Sequence, residues 1–191
     1  MPRCQNGRMA DPSADVPTDA SAPIDADAIA HGTATPSPTS RSLVAIFASP
    51  VAAHLLRYAK DAGYRPVLVE PDPARAKAAD VDATVVATMA DAKADHDTDV
   101  VMTDHHRDEL GELLRDALAG ESPWIGVMGN PRVRGPHLDA LAALGVPDAE
   151  VARVHRPVGL NIGSRTPPEI AIATLAGLLA DRNDRPGGFE F

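Results

Sequence analysis

Cysteine is all but missing from this chain. Cys4 is the only one, so no intramolecular disulfide can form and no cysteine cluster can hold a structural zinc or an iron–sulfur centre. That usage suits a reducing, cytoplasmic setting. A basic excess is missing too. Lysine and arginine number 18 against 27 aspartates and glutamates, a formal net charge of −9. Such a balance argues against a surface built to neutralise phosphate backbones, and so against nucleic acid as a partner. Long apolar runs are also absent. The longest nearly continuous one, residues 170–180, is too short to cross a bilayer, and the N-terminus lacks the apolar core of a secretory signal. A soluble, non-exported protein with no membrane partner is the expectation.

The bulk composition is that of a folded domain. Of 191 residues, 44% are hydrophobic and 24% charged, close to the globular average, which suits one domain with residues to spare. The spare residues are at the start. Residues 1–40 hold six prolines, five aspartates, eight serines or threonines, no aromatic residue and no leucine. They cannot bury enough apolar surface to offset the entropy of ordering, so an acidic, disordered tail is expected there, followed by a single domain over residues 41–191.

From Ser42 onward, short apolar runs alternate with amphipathic stretches, the texture of strands buried on both faces and joined by crossover helices. Strands are predicted at residues 43–47, 66–70, 83–87, 99–103 and 124–128. Val51, Ala52, Leu55, Leu56 and Ala59 share one helical face ahead of Gly63. Leu110, Leu113, Leu114, Ala117 and Leu118 follow the same spacing, and Gly120 stops that helix. Residues 137–144 give a short helix. Residues 170–180 form one that is apolar almost all round and hence expected to be largely covered. Because strand–helix–strand crossovers are nearly always right-handed, the pattern points to a doubly wound, mainly parallel α/β sheet of Rossmann-like type.

Ligands of such sheets bind beyond the carboxyl ends of the strands. After the first strand comes Phe47-Ala-Ser-Pro-Val-Ala52, with no glycine to let backbone approach a pyrophosphate, so NAD(P) binding is disfavoured. Ser49 caps the next helix and Pro50 suits its first turn. Glu70 ends the second strand where an acidic residue would hold a ribose hydroxyl; a solvated carboxylate is the alternative. The fourth strand ends in Thr103-Asp-His-His-Arg-Asp-Glu109. Its histidines resemble a metal cluster, but adjacent side chains diverge in most backbone conformations and no H-E-x-x-H spacing is present, so no metal ligand is assigned. Gly126 and Gly129, at the end of the fifth strand, allow close approach of a ligand or a tight packing contact.

The strongest local signal is Arg156-Pro-Val-Gly-Leu-Asn-Ile-Gly-Ser-Arg-Thr-Pro-Pro-Glu169. Thr166 and Glu169 form a capping box with Pro167 at the first helical position. Free N–H groups, the helix dipole and Arg165 would favour an anion beside Gly159, Gly163, Ser164 and Thr166; a capped helix without ligand is the alternative. No G-x-S-x-G elbow surrounds Ser49 or Ser164, so no serine nucleophile or other catalytic residue is assigned.

Trp124-Ile-Gly-Val-Met-Gly129, Leu141-x-x-Leu-Gly145, Val154-His-Arg-Pro-Val-Gly-Leu-Asn-Ile-Gly163 and Thr166-Pro-Pro-Glu-Ile-Ala171 together resemble the C-terminal Rossmann-like domain of the XdhC/CoxI family. These are accessory proteins of xanthine dehydrogenase and related molybdenum hydroxylases. The resemblance covers residues 42–181. It implies a non-catalytic maturation factor that binds molybdenum cofactor and delivers it to the large subunit of an apo-molybdenum hydroxylase. It also implies dealings with a cysteine desulfurase, and it admits a homo-oligomer. Family members carry G-A-G-x-V-A after the first strand, where Phe47 and Ser49 replace both glycines here; the family's aspartate becomes Glu70, and its Thr-His-Asp-His-like segment becomes Thr103-Asp-His-His106. The tail is expected to stand where longer members carry a separate N-terminal domain. Two other readings compete: a degenerate Rossmann domain that only contacts proteins, and a nicotinamide-dependent oxidoreductase.

Overall fold

The computed structural model describes residues 26–35, 41–130 and 132–188. The chain divides into two compact units, Met1–Ser37 and Pro38–Phe191. In the first, the described residues form a five-residue helix, α1 (Ala26–Ala30), with no buried side chain. The expectation of a disordered tail falls mostly on residues 1–25 and 36–40, outside the described residues.

The second unit is built on six strands: β1 (Ser42–Ile46), β2 (Arg65–Val69), β3 (Thr84–Val86), β4 (Thr98–Met102), β5 (Trp124–Val127) and β6 (Val154–His155). They lie in the order β3-β2-β1-β4-β5-β6, and every neighbouring pair is parallel. This is a doubly wound Rossmann-like sheet. The chain winds outward from β1 in one direction and from β4 in the other, so the crevice between their carboxyl ends is the switch point where ligands of such sheets bind.

Helices cover both faces. α2 (Pro50–Asp61) starts on Ser49, whose Oγ accepts the Ala52 N–H at 3.0 Å, and buries Ala52, Leu55, Leu56 and Ala59. It packs against α8 (Pro167–Arg182) on the face to which Leu43 and Val101 point. Residue alternation sends Val44, Ile46, Val100 and Met102 to the other face, against α5 (Leu110–Leu118). There α5 packs on α6 (Pro136–Ala143). Burying about ten aliphatic side chains on each face, at roughly 1.5–3 kcal/mol for each full burial, is the main force holding the layers together.

Three short helices, α3 (Pro73–Ala78), α4 (Met89–Ala92) and α7 (Asp148–Val151), escape the periodicity argument, as does the two-residue edge strand β6. Elements of two to six residues are too short for an apolar position to recur often enough to mark a period. The expectation that residues 170–180 are largely covered agrees with the structure: α8 buries Ala171, Ala173, Thr174, Leu175 and Leu178 against α2 and the sheet, and of this stretch only Ile172, 51% exposed, faces outward.

Candidate functional site

The carboxyl ends of β1 and β4 are tied together by hydroxyls. Thr103 Oγ1 lies 2.9 Å from the Ile46 carbonyl and 2.8 Å from the Phe47 carbonyl, and it accepts from Ser49 Oγ at 3.2 Å. Both side chains are therefore engaged in shaping the loop from β1 into α2. The left-handed backbone that the missing glycines would have supplied falls on Phe47, whose φ is 75°, while Ser49 is extended at −152°. For a bulky residue that conformation costs about 1–2 kcal/mol. Full burial of its ring offsets the strain.

Glu70, one residue past β2, is 1% exposed rather than solvated. Its carboxylate accepts from the N–H groups of Ala48 (2.8 Å) and Asp72 (3.0 Å) and from both terminal nitrogens of Arg107 (3.1 and 3.2 Å). Arg107 in turn donates to Glu109 at 3.0 Å, and its guanidinium carbon lies 4.6 Å from the centroid of the Phe47 ring. Burial works against the Arg107 charge, but the hydrogen bonds it donates to Glu109 and Glu70 hold its pKa above the ordinary value.

On the other side of the switch point, a cleft of about 660 Å³ opens between the ends of β4 and β5 and the loop from β6 into α8. Thr103, Gly129, Gly159 and Ser164 line it, as the strand-end argument expects, together with His105, Asn130, Arg132 and Asn161. Among the described residues, no carboxylate lines it. Burial, and then the neighbouring His106, push the His105 imidazole below its ordinary pKa. The His105 and His106 rings lie 4.1 Å apart, closer than the sequence argument expects. Among the described residues, no three histidine, cysteine or acidic side chains converge on a point that could hold a metal ion.

Several glycines prove to be packing positions. A Cβ on Gly126 would stand 2.5 Å from the Trp124 ring and 2.6 Å from Val158. Trp124 itself stacks on His155 at 5.0 Å. A Cβ on Gly129 would meet the Arg156 guanidinium at 2.8 Å, and Arg156 uses its terminal nitrogens to hold the Asn130 and Val133 carbonyls, both at 2.9 Å. Gly159, at φ 79°, crosses α8 so closely that a Cβ would stand 2.6 Å from the Ala173 carbonyl, and Gly177 makes room from the helix side. Leu160 N–H donates to that carbonyl at 2.9 Å.

Gly163, Arg165 and Thr166 stand outside the cleft lining. The capping box is formed, and Glu169 Oε2 accepts the N–H groups of Arg165 (2.8 Å) and Thr166 (3.1 Å). The chain's own carboxylate thus takes donors that an anion would use. A second depression of about 650 Å³ lies along α2 and α3, lined by Ser49, Arg57, Arg75, Asp80 and Asp82 among others. Its mixed charge and its place beside the helices make it the weaker candidate.

Sequence reasoning missed Arg107, Asn130, Arg132 and Asn161. Arg107 pairs with a residue 37 positions away, and no local pattern announces such a pair. The other three sit in irregular loops, where only proximity to Gly129 and Gly159 could have drawn attention.

Residues 43–178 match the XdhC Rossmann domain family. A crystal structure of a xanthine dehydrogenase from Bacillus halodurans superposes with a TM-score of 0.59 and 26% identity, over 78% of this chain and 45% of that one. An uncharacterized protein from Escherichia coli (strain K12) is 36% identical over 98 residues, 51% of this chain. This chain covers only 17% of the length of that relative.

Proposed function

Because the chain belongs to the XdhC Rossmann domain family, we propose that it is a non-catalytic accessory protein that holds molybdenum cofactor and passes it to a xanthine dehydrogenase-type molybdenum hydroxylase. The observation that carries this reading is the strand-end cleft at the switch point, which among the described residues has Arg132 and no carboxylate in its lining although the whole chain carries a net charge of −9. An anion there meets the Arg132 charge and no like charge among the described lining residues. Molybdenum cofactor is cargo in this reading: a pterin that ends in a phosphate. The cleft suits it in chemistry, with a guanidinium for the phosphate and two asparagine amides, Asn130 and Asn161, for a heterocycle's donors and acceptors. Size agrees as well, since about 660 Å³ falls in the range of small-molecule sites.

What the chain's residues do in this reading is bind and orient. Thr103 and Ser49 fix the floor of the site by tying β4 to the loop after β1. Arg156 holds the loop that carries Asn130 and Arg132 by two of its carbonyls. Val133 and Ile162, 60% and 54% exposed, stand on the two loops beside the cleft and would meet a partner protein that receives the cargo.

Anaerobic titration of the purified protein with molybdenum cofactor, followed by filtration, tests the reading. Saturable binding is expected, weakened about tenfold by Arg132→Ala, the loss of one charge-assisted hydrogen bond. Failure to bind would favour the domain as a protein-interaction module without a small ligand. Co-purification from the native host should recover the hydroxylase's large subunit.

A further inference from the structure

Every acceptor position of the Glu70 carboxylate is taken from within the chain. Oε2 accepts Ala48 N–H at 2.8 Å and Arg107 Nη1 at 3.2 Å; Oε1 accepts Asp72 N–H at 3.0 Å and Arg107 Nη2 at 3.1 Å. Four donors match the roughly four lone-pair positions an ionised carboxylate offers. In a doubly wound sheet, an acidic residue at the end of the second strand accepts from the hydroxyls of a nucleotide ribose. Here no lone pair is left for a ribose diol.

The donor that displaces it is held from three sides. The Arg107 side chain is only 10% exposed, bonded to Glu70 below and Glu109 beside it, with the Phe47 ring under its guanidinium. Phe47 fills with an aromatic ring the space that a glycine would leave open after β1. Its left-handed backbone shows that the loop keeps the path a glycine would follow. The fold of a nucleoside subsite is therefore present, and its contents are protein.

We infer that Arg107, fixed by Glu70 over the Phe47 ring, is a specificity-determining residue that closes the nucleoside half of the strand-end site. The chain then takes ligands that fill only the half around Thr103, Gly129 and Ser164, and it excludes dinucleotides and other adenosine-bearing ligands. That the open half takes an anion rests on the reading above; the closure does not.

Isothermal titration of the full chain with AMP and with NAD tests this. The parent should show no saturable binding up to millimolar ligand. Arg107→Ala should bind AMP at least tenfold more tightly than the parent. Arg107→Met, which keeps an aliphatic stem on the Phe47 ring but removes the charge, should gain in the same direction and serves if the alanine variant does not fold. Circular dichroism checks folding of both. Adding Glu70→Gln to either variant should remove the gain, and 2′,3′-dideoxyadenosine monophosphate should bind no better than it does to the parent. Micromolar binding of NAD by the parent, a folded variant with no gain, or a gain indifferent to Glu70→Gln would each overturn the inference. The parent's titration stands whether or not a variant folds. Titration with molybdenum cofactor reads the other half of the site, so the two readings can fail separately.

Discussion

Gly126 and Gly163 look alike in the sequence and differ in what they do. Gly126 is buried under the Trp124 ring, where a methyl group would have to displace an aromatic side chain and Val158. Gly163 has open space where a Cβ would stand and a φ of 71°. Gly126→Ala should therefore destabilise the domain by about 1–3 kcal/mol, the cost of overpacking. Gly163→Ala should cost about 1 kcal/mol, from backbone strain alone. Urea unfolding of the two variants measures the difference; equal midpoints would show that the Trp124 ring has room to move. Thr103 belongs to the same scale. Thr103→Val removes the hydroxyl that ties β4 to the Ile46 and Phe47 carbonyls and should cost about 1–2 kcal/mol.

Among the elements, α8 shows how a helix start can take up its own anion. The N–H groups of Arg165, and then Thr166, hold the Glu169 carboxyl below the ordinary carboxylate range. An unfolded chain takes up that proton at a higher pH than the folded one. The contribution is therefore complete above the ordinary glutamate range and is lost as pH falls through the lowered folded value. Glu169→Gln should be less stable than the parent at neutral pH, and the gap in thermal midpoint should close between about pH 5 and pH 3. A gap that stays constant on acidification would mean that the charge of the cap contributes nothing.

For the whole molecule, the layered sheet of the second unit carries its own core on both faces, built from residues beyond position 42. Residues 1–40 have no leucine or aromatic side chain to add to it. Deleting them should leave the thermal midpoint unchanged within about 2 °C, since a lost contribution of even 1 kcal/mol would shift a domain of this size by about 2–4 °C or more. A drop of several degrees would show that the composition argument fails for this segment.

Much of the architecture follows from short-range rules. Apolar runs of β-branched residues, the 3.6-residue spacing of Leu110 to Leu118, the Ser49 cap with Pro50 and the capping box at Thr166 each operate within a turn or a strand, so they can be read in order along the chain. Together with the handedness of crossovers they suffice for a parallel doubly wound sheet and for placing Thr103, Gly129, Gly159 and Ser164 near its carboxyl edge. The contents of the site depend on separations that no local rule spans. Glu70 meets Arg107 only because β2 and β4 flank β1. Gly159 needs its missing side chain because Gly177 and Ala173 of α8 cross it. Local backbone physics determined the elements; which partner satisfies each buried polar group, and which glycine faces a cleft rather than a ring, was decided only when the sheet order brought distant residues into contact.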